Sequence, residues 1–337
     1  MSTVQGISFL AQSQSQINRI NETKRMMDDL QRQISTQMKY DTLAGFGVDT
    51  TRVLSLRAEK VQTDTYLNNI DTFKRRVKMM NDNMQQALDM CRKFMEGMQS
   101  YQASSAQDVD IMKTVATQGL YLMRDIANQE MDGRYLFAGS ATNVAPVYDL
   151  GTLNISAQFQ VTNWLNGTNT TNQMNTNIDG LTSAQLGFDL GLTNAGAVTM
   201  TIDKDFDVDY TVIADKSGMD QIMRGLSLAA NMTYPSSTDT PTQTDVQGVL
   251  DHIKTMIQDG MDKLQHSMNV LNSKINLVDS MEDTQKTDRD TLLSQLDDME
   301  HVDSAEAIVK LQSVQTQLNA SYQITKIVSQ MSLVNFL

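Results

Sequence analysis

The fold is decided by the last 35 residues, Asp303-Ser-Ala-Glu-Ala-Ile-Val-Lys-Leu-Gln-Ser-Val-Gln-Thr-Gln-Leu-Asn-Ala-Ser-Tyr-Gln-Ile-Thr-Lys-Ile-Val-Ser-Gln-Met-Ser-Leu-Val-Asn-Phe-Leu337. Asp303 can cap the first free amides of a helix, and Glu306 stands three residues on, as in a capping box. Apolar residues then return at three- and four-residue intervals, which predicts one stripe on a helix of roughly 30 residues, about 45 Å long. The stripe comprises Ile308, Leu311, Val314, Leu318, Tyr322, Ile324, Ile327, Val328, Met331 and Val334.

Both ends of the chain are uncharged. No charged residue follows Lys326, and none occurs between Met1 and Asn18. Chain ends usually fray unless something holds them, and burying an unpaired charge is costly. Two uncharged amphipathic ends therefore suit a chain whose ends pack on each other and on neighbouring copies. The alternative is that each end docks on its own domain.

The candidate assembly interface consists of apolar residues from these two ends. Four of these residues belong to the amino-terminal segment, and the others belong to the carboxy-terminal helix. These residues are Ile7, Leu10, Ile17, Ile20, Leu311, Leu318, Tyr322, Ile327, Met331, Leu333 and Phe336.

Composition excludes several classes of function. The net charge of −13 argues against nucleic acid and against an anionic membrane surface as partners. No apolar run reaches the roughly 18–20 residues that span a bilayer, and the first 20 residues do not resemble a cleaved signal peptide. The single cysteine, Cys91, can form no intramolecular disulfide and is predicted to be a small core residue.

The chain divides into helix, insert and helix, because its three prolines all lie between 146 and 241. Helices are predicted over 1–38, from about 53 to 101, from about 109 to 131, and for roughly 50 residues from 246. The third of these helices is expected to place Ile111, Val115, Leu122 and Ile126 on one face.

The insert shows the alternation of strands. Ile155, Ala157, Phe159 and Val161 alternate with polar residues, and a hairpin is predicted for 198–202 with 206–212. Residues 219–226 suggest a short helix.

The predicted fold class is mainly α with a β-rich insert. The amino- and carboxy-terminal helices would form a long-helix, coiled-coil-like rod, with a variable α+β domain in the middle. The expected domains are terminal axial helices (1–40 plus 303–337), a long-helix bundle with a short hairpin (41–148 plus 242–302) and a β-rich outer insert (149–241).

No motif predicts an enzyme, a cofactor or a metal site. Asp203, Asp205, Asp207 and Asp209 resemble the start of a calcium loop, but Val208 and Ala214 stand where such a loop needs Gly and Glu. These aspartates are better explained as the solvated face of the hairpin. The three histidines do not lie at ligand spacing.

Two stretches carry a resemblance to a known family. Leu318-Asn-Ala-Ser-Tyr-Gln323 with Met331-Ser-Leu-Val-Asn-Phe-Leu337 resembles the end of bacterial flagellin superfamily proteins. Asp132-Gly-Arg-Tyr-Leu-Phe-Ala-Gly-Ser140 is most similar to the hook-associated protein 3 family within it. The motif residues are Gly133, Arg134, Tyr135, Phe137 and Gly139. The resemblance covers about 1–148 and 242–337, and the insert is unmatched.

The resemblance implies a structural subunit of the bacterial flagellum, extracellular and placed where hook joins filament. Its partners would be copies of itself, a neighbouring hook-associated protein and flagellin. The flagellar export apparatus, with an export chaperone, would deliver it. The alternatives are a flagellin that forms the filament itself, an adhesin or enzyme borne by the insert, and a cytosolic coiled-coil scaffold.

Overall fold

The structure, a computed structural model, describes the backbone of residues 2–100 and 105–334, and the side chains of 11, 13–98 and 105–327. The chain separates into two compact units, one of residues 1–64 and 286–337 and the other of residues 65–285. Within the described ranges the helices are α1 (Ser2–Thr36), α2 (Thr50–Ser100), α3 (Ala106–Ala127), α4 (Leu150–Leu165), α5 (Thr171–Asp179), α6 (Met219–Asn231), α7 (Gln243–Glu300) and α8 (Ser304–Val334). The strands are β1 (Glu130–Met131), β2 (Arg134–Tyr135), β3 (Thr199–Asp203) and β4 (Phe206–Asp209).

The prediction of a mainly α protein is confirmed. Each long helix predicted from apolar periodicity is present, with its ends displaced by a few residues. Asp303 caps α8 as expected, since its Oδ1 accepts hydrogen bonds from the amides of Ala305 at 2.8 Å and Glu306 at 3.1 Å. The Glu306 carboxylate pairs with Lys310 at 2.7 Å.

In the first unit, the start of α2 packs against the end of α7. Phe46, in a 3₁₀ turn that spans Leu43–Asp49, joins Val53, Leu56 and Leu296 in a small buried cluster. Beside this cluster, Arg57 and Glu300 form an ion pair, with Arg57 Nε 2.7 Å from Glu300 Oε1. That contact raises the pKa of the Arg57 guanidinium.

The second unit has one large core to which α2, α3, α6 and α7 all contribute. Methionine is prominent among its fully buried side chains, which include Met80, Met84, Met98, Met112 and Met123. Flexible methionine side chains fill irregular gaps between helices. Cys91 belongs to the same core as predicted, and burial raises the pKa of its thiol to about 12.

Residues 149–241 contain more helix than strand, and the insert is not β-rich as predicted. The supposed strand at 155–161 lies inside α4, whose buried face is Leu150, Leu153, Ala157, Val161 and Trp164. These positions recur every three or four residues, as one side of a helix requires. The apolar residues alternate in the sequence because Ala157 and Val161 lie on the buried side, whereas Ile155 and Phe159 lie one turn apart on the exposed side. This alternation was mistaken for that of a strand.

The predicted hairpin is confirmed as β3–β4, which pairs antiparallel with Met200 opposite Val208. The predicted short helix is α6. The face predicted for α3 needs correction. Ile111 and Val115 are exposed, whereas Met112, Ala116 and Met123 face the core. The helix carries apolar residues on two sides, and periodicity alone did not identify the buried one.

Candidate assembly interface

The terminal helices α1 and α8 pack side by side in the first unit. The segment after α1 bonds to the segment before α8: the Lys39 amide donates to the Glu300 carbonyl at 2.7 Å, and the Val302 amide donates to the Gln37 carbonyl at 3.1 Å. Because the end of α1 meets the start of α8, the two helices run antiparallel. Gln37 ends α1 in a left-handed conformation, with φ +57°.

The contact between α1 and α8 follows a repeat of alternating three- and four-residue steps, and we call it the terminal seam. Its apolar centre is a cluster of Leu30, Ala307 and Val314, with Met27, Ile34 and Leu311 packed against it. Toward the chain ends the less exposed positions become polar. The seam residues of α1 are Ser13, Gln16, Ile20, Thr23, Met27, Leu30 and Ile34, and those of α8 are Ala307, Leu311, Val314, Leu318, Ser321 and Thr325. No seam residue is charged, so the two helices can pack closely without burying an unpaired charge.

Helix α8 has a second uncharged face, opposite the seam, which we call the outer face. All of its residues are exposed, and they again follow three- and four-residue steps: Val309, Ser313, Thr316, Ala320, Ile324 and Ile327. Val309, Ile324 and Ile327 are 65%, 53% and 56% exposed. At 1.5 Å per residue the outer face is about 27 Å long. Soluble helices usually present charge on the side that faces water, so this composition needs an explanation.

The sequence-predicted interface residues fall into different environments. Leu318 is buried in the terminal seam, and Leu311 and Ile20 are half-buried there. Ile17 and Tyr322 are about half exposed and border the seam, whereas Ile327 belongs to the outer face. The side chains of Ile7, Leu10, Met331 and Leu333, and the whole of Phe336, lie outside the described residues.

Sequence reasoning treated the apolar residues of α8 as one stripe and therefore missed the outer face. Val309 was not singled out, and Ser313, Thr316 and Ala320 were not considered because they are small or polar. A second series of uncharged residues, offset from the seam by half a turn of the helix, was the signal that could have found it.

Charged groups are concentrated where the two terminal helices meet their connections. Arg32 contacts Asp29 at 2.5 Å and Asp41 at 2.6 Å, and it donates to the Lys39 carbonyl at 3.2 Å. The hydrogen bonds to these two carboxylates raise the pKa of the Arg32 guanidinium, and the bond to Asp29 has the larger effect. The Lys39 ammonium donates in turn to the Asp298 carbonyl. These contacts fix the connections, whereas the helices beyond them carry uncharged faces.

The motif residues 133–139 form a turn and the buried segment that follows it in the second unit. Asp132 and Gly133, with φ of +54° and +69°, form the two-residue turn between β1 and β2. The fully buried Phe137 accepts a 2.9 Å hydrogen bond from the Ala214 amide through its carbonyl. Gly139 has φ +58°, and a Cβ there would lie 3.1 Å from the Gly196 carbonyl oxygen. Arg134 is exposed and Tyr135 is half-buried.

The β1–β2 hairpin is short. Only Arg134 and Tyr135 pair as β2, and Ala138 makes an isolated bridge to Ile213. The Tyr135 hydroxyl bonds to the Glu130 carboxylate across the hairpin, which raises the pKa of Tyr135. In the described part of the chain, no group of three or more His, Cys, Asp or Glu side chains is placed to hold a metal ion. No described helix is long and apolar enough to cross a membrane.

Comparison with solved structures identifies the class of fold. No family model and no curated protein matches the sequence. The structure is similar to that of a putative flagellar hook-associated protein from Vibrio parahaemolyticus, with 15% identity and a TM-score of 0.55 over 76% of this chain and 100% of that one. It is also similar to FlgL of Bacillus cereus, with 11% identity and a TM-score of 0.50 over 72% of this chain and 98% of that one. The chain therefore has a fold found in flagellar hook-associated proteins.

Proposed function

We propose that the chain is an extracellular structural subunit of the bacterial flagellum, placed at the junction of hook and filament. The observation that carries this proposal is the outer face of α8. This helix is already paired with α1 along the terminal seam, yet its opposite side is uncharged and exposed. A neighbouring helix with an uncharged face would pack there without burying a charge. The likeness in fold to flagellar hook-associated proteins supports the same function.

Energetics favour an array over a pair of free copies. Fully burying a large aliphatic side chain contributes about 1.5–3 kcal/mol, so covering the half-exposed Val309, Ile324 and Ile327 contributes about 3–5 kcal/mol per copy. Association costs at least about 4 kcal/mol in lost freedom of motion. One such contact therefore gives at most a marginal dimer. In an array each copy contacts several others, and the contributions add.

The mechanism follows from this arrangement. In each copy α1 and α8 pair along the terminal seam, and the outer face of α8 packs on the terminal helices of a neighbour. Neighbours are copies of the same chain within a ring, and a hook-associated protein and flagellin on its two sides. The packed helices transmit torque from hook to filament. Before assembly, the flagellar export apparatus and an export chaperone deliver the chain.

The proposal is tested by immunogold electron microscopy of intact flagella with antibody to residues 150–240. A band of label where the hook ends is the expected result. Label along the whole filament would identify the chain as the filament flagellin instead, and absence of label from flagella that carry an antibody-accessible control subunit would overturn both.

A further inference from the structure

Helix α4 presents an apolar ridge in a part of the chain that has no charge. Between Asp149 and Asp179 the sequence contains no Asp, Glu, Lys or Arg. On the outer side of α4, Ile155 is 69% exposed and Phe159 is 61% exposed. These two residues lie one turn apart and therefore form one ridge. The opposite side of α4 is buried in the core.

The lack of charge bears on the choice of partner. Copies of a chain with a net charge of −13 repel one another over most of their surface. A neutral apolar ridge is a place where a second copy can approach without that repulsion. Isolated apolar residues on a surface are common, whereas Ile155 and Phe159 are adjacent and together form one contiguous apolar patch.

An open groove with apolar side chains in its lining lies in the same unit. It lies between α2 and α3, has a volume of about 580 Å³ and is open to solvent. Its apolar lining comes from Met90, Phe94, Val115 and Leu122. The helices approach closely beside it, because Gly119 has no side chain and an added Cβ would lie 3.1 Å from Met90 Sδ.

The charges along the groove are compatible with a neutral occupant. Asp89 is paired with Arg92 at 2.8 Å, and Asp82 is paired with Lys78 at 3.3 Å. The third charged residue of the lining, Lys93, is exposed, and its long side chain can keep the ammonium in water at the rim. An uncharged helix can therefore enter without breaking an ion pair or burying an unpaired charge.

We propose that the α4 ridge of one copy, formed by Ile155 and Phe159, docks in the α2–α3 groove of the next copy. The two surfaces are different, so the contact is head-to-tail and generates rings or helical arrays. This property is what a subunit of a tube requires, and in that respect the inference rests on the proposed function. It adds a contact between second units to the packing of the terminal helices.

Disulfide trapping tests the contact in the purified full chain. Gln158 lies beside the ridge, and the exposed Gln118 lines the groove, so the double variant Gln158→Cys with Gln118→Cys places one thiol on each surface. Mild oxidation at high protein concentration accumulates even a short-lived encounter as a covalent product. The native Cys91 does not compete, because it is fully buried.

Matched variants control for random collision. Tyr121 is exposed like Gln118, does not line the groove and lies about 60° around α3 from Gln118, on the side away from the groove. The control double variant is Gln158→Cys with Tyr121→Cys. We expect disulfide-linked dimers and longer chains at least 10-fold more abundant with the Gln118→Cys pair, and loss of that excess when Phe159→Asp is added.

Equal cross-linking by the two pairs would overturn the proposal, as would insensitivity to Phe159→Asp. Efficient dimerisation of Gln158→Cys alone would also overturn it, because that product joins two ridges. These outcomes are independent of where antibody labels the flagellum. A chain found at the junction but lacking the cross-link would refute the ridge–groove contact and leave the proposed function standing.

Discussion

The backbone of Met38, just after α1, pairs in an antiparallel bridge with that of His301, just before α8. The bridge brings together segments from the two ends of the sequence and sets the register in which Leu30 meets Ala307 and Val314. Once that register is fixed, one side of α8 packs against α1. The outer face is left for a neighbouring molecule.

The terminal seam should loosen when one of its buried residues is truncated. Leu318 is 7% exposed, and Leu318→Ala is expected to weaken the packing of α1 on α8 by about 2–3 kcal/mol. Hydrogen–deuterium exchange should then accelerate in residues 13–36 and 304–327 and stay unchanged in 65–285. The exposed neighbour variant Gln317→Ala is the control. Equal exchange in the two variants would show that Leu318 does not hold the seam.

Gly139 should be irreplaceable for two separate reasons. Its φ of +58° disfavours any side chain, and a Cβ would press on Ala195, Gly196 and Ile213. We expect Gly139→Ala to lower the free energy of unfolding by about 1–3 kcal/mol, measured by chemical denaturation. Gly196→Ala is the matched control, since its nearest neighbour would be Ser140 Oγ at 3.6 Å. A loss for Gly139→Ala no greater than that control would contradict the packing described for the motif.

Asp245 should make stability depend on acid pH. Its Oδ2 accepts hydrogen bonds from the Thr242 hydroxyl at 2.6 Å and the Thr242 amide at 2.8 Å, and these bonds lower the pKa of the carboxyl below 3.8. A lowered pKa contributes stability above the unfolded value of 3.8 that is lost as the pH falls through the lower, folded value.

Asp245→Asn is therefore expected to cost about 1 kcal/mol at pH 7 and progressively less on acidification below pH 4. Chemical denaturation across this range measures the difference. The control is Asp251→Asn, an exposed position six residues further along α7. A cost for Asp245→Asn that stays constant with pH would contradict the assignment.

The Cys91 thiol should be unreactive in the folded protein. It is fully buried, and burial raises its pKa to about 12, so almost none is thiolate near neutral pH. A disulfide reagent at pH 8 should label it only as fast as the core opens, and immediately in denaturant. Rapid labelling without denaturant would show that the packing of α2 in the core is not as described.

The long helices could be predicted because apolar residues recur at helical spacing without proline over tens of residues. The cap at Asp303 and the β3–β4 hairpin could be predicted for equally local reasons. Which face of a helix is buried depends on tertiary contacts. Helices α3, α4 and α8 each carry apolar residues on two sides, and periodicity cannot rank the sides.

The candidate interface shows the same limit. Leu318 and Ile327 belong to one apolar pattern in the sequence, yet Leu318 packs on α1 and Ile327 faces away from it. The register set by Met38 and His301, which are distant in sequence, decides between these roles. The prediction of a strand over 155–161 failed for a related reason, because Ile155 and Phe159 are apolar without being buried.

The most direct test of the account is the amount of protein found in sheared flagella for the variant Ile324→Asp. This change places a charge on the outer face of α8 and leaves the terminal seam intact, so we expect at least a 10-fold loss of incorporation. Asn319→Asp adds the same charge to an exposed position between the seam and the outer face, and it should assemble normally. Normal incorporation of Ile324→Asp, with secretion equal to that of Asn319→Asp, would contradict the claim that the outer face carries assembly.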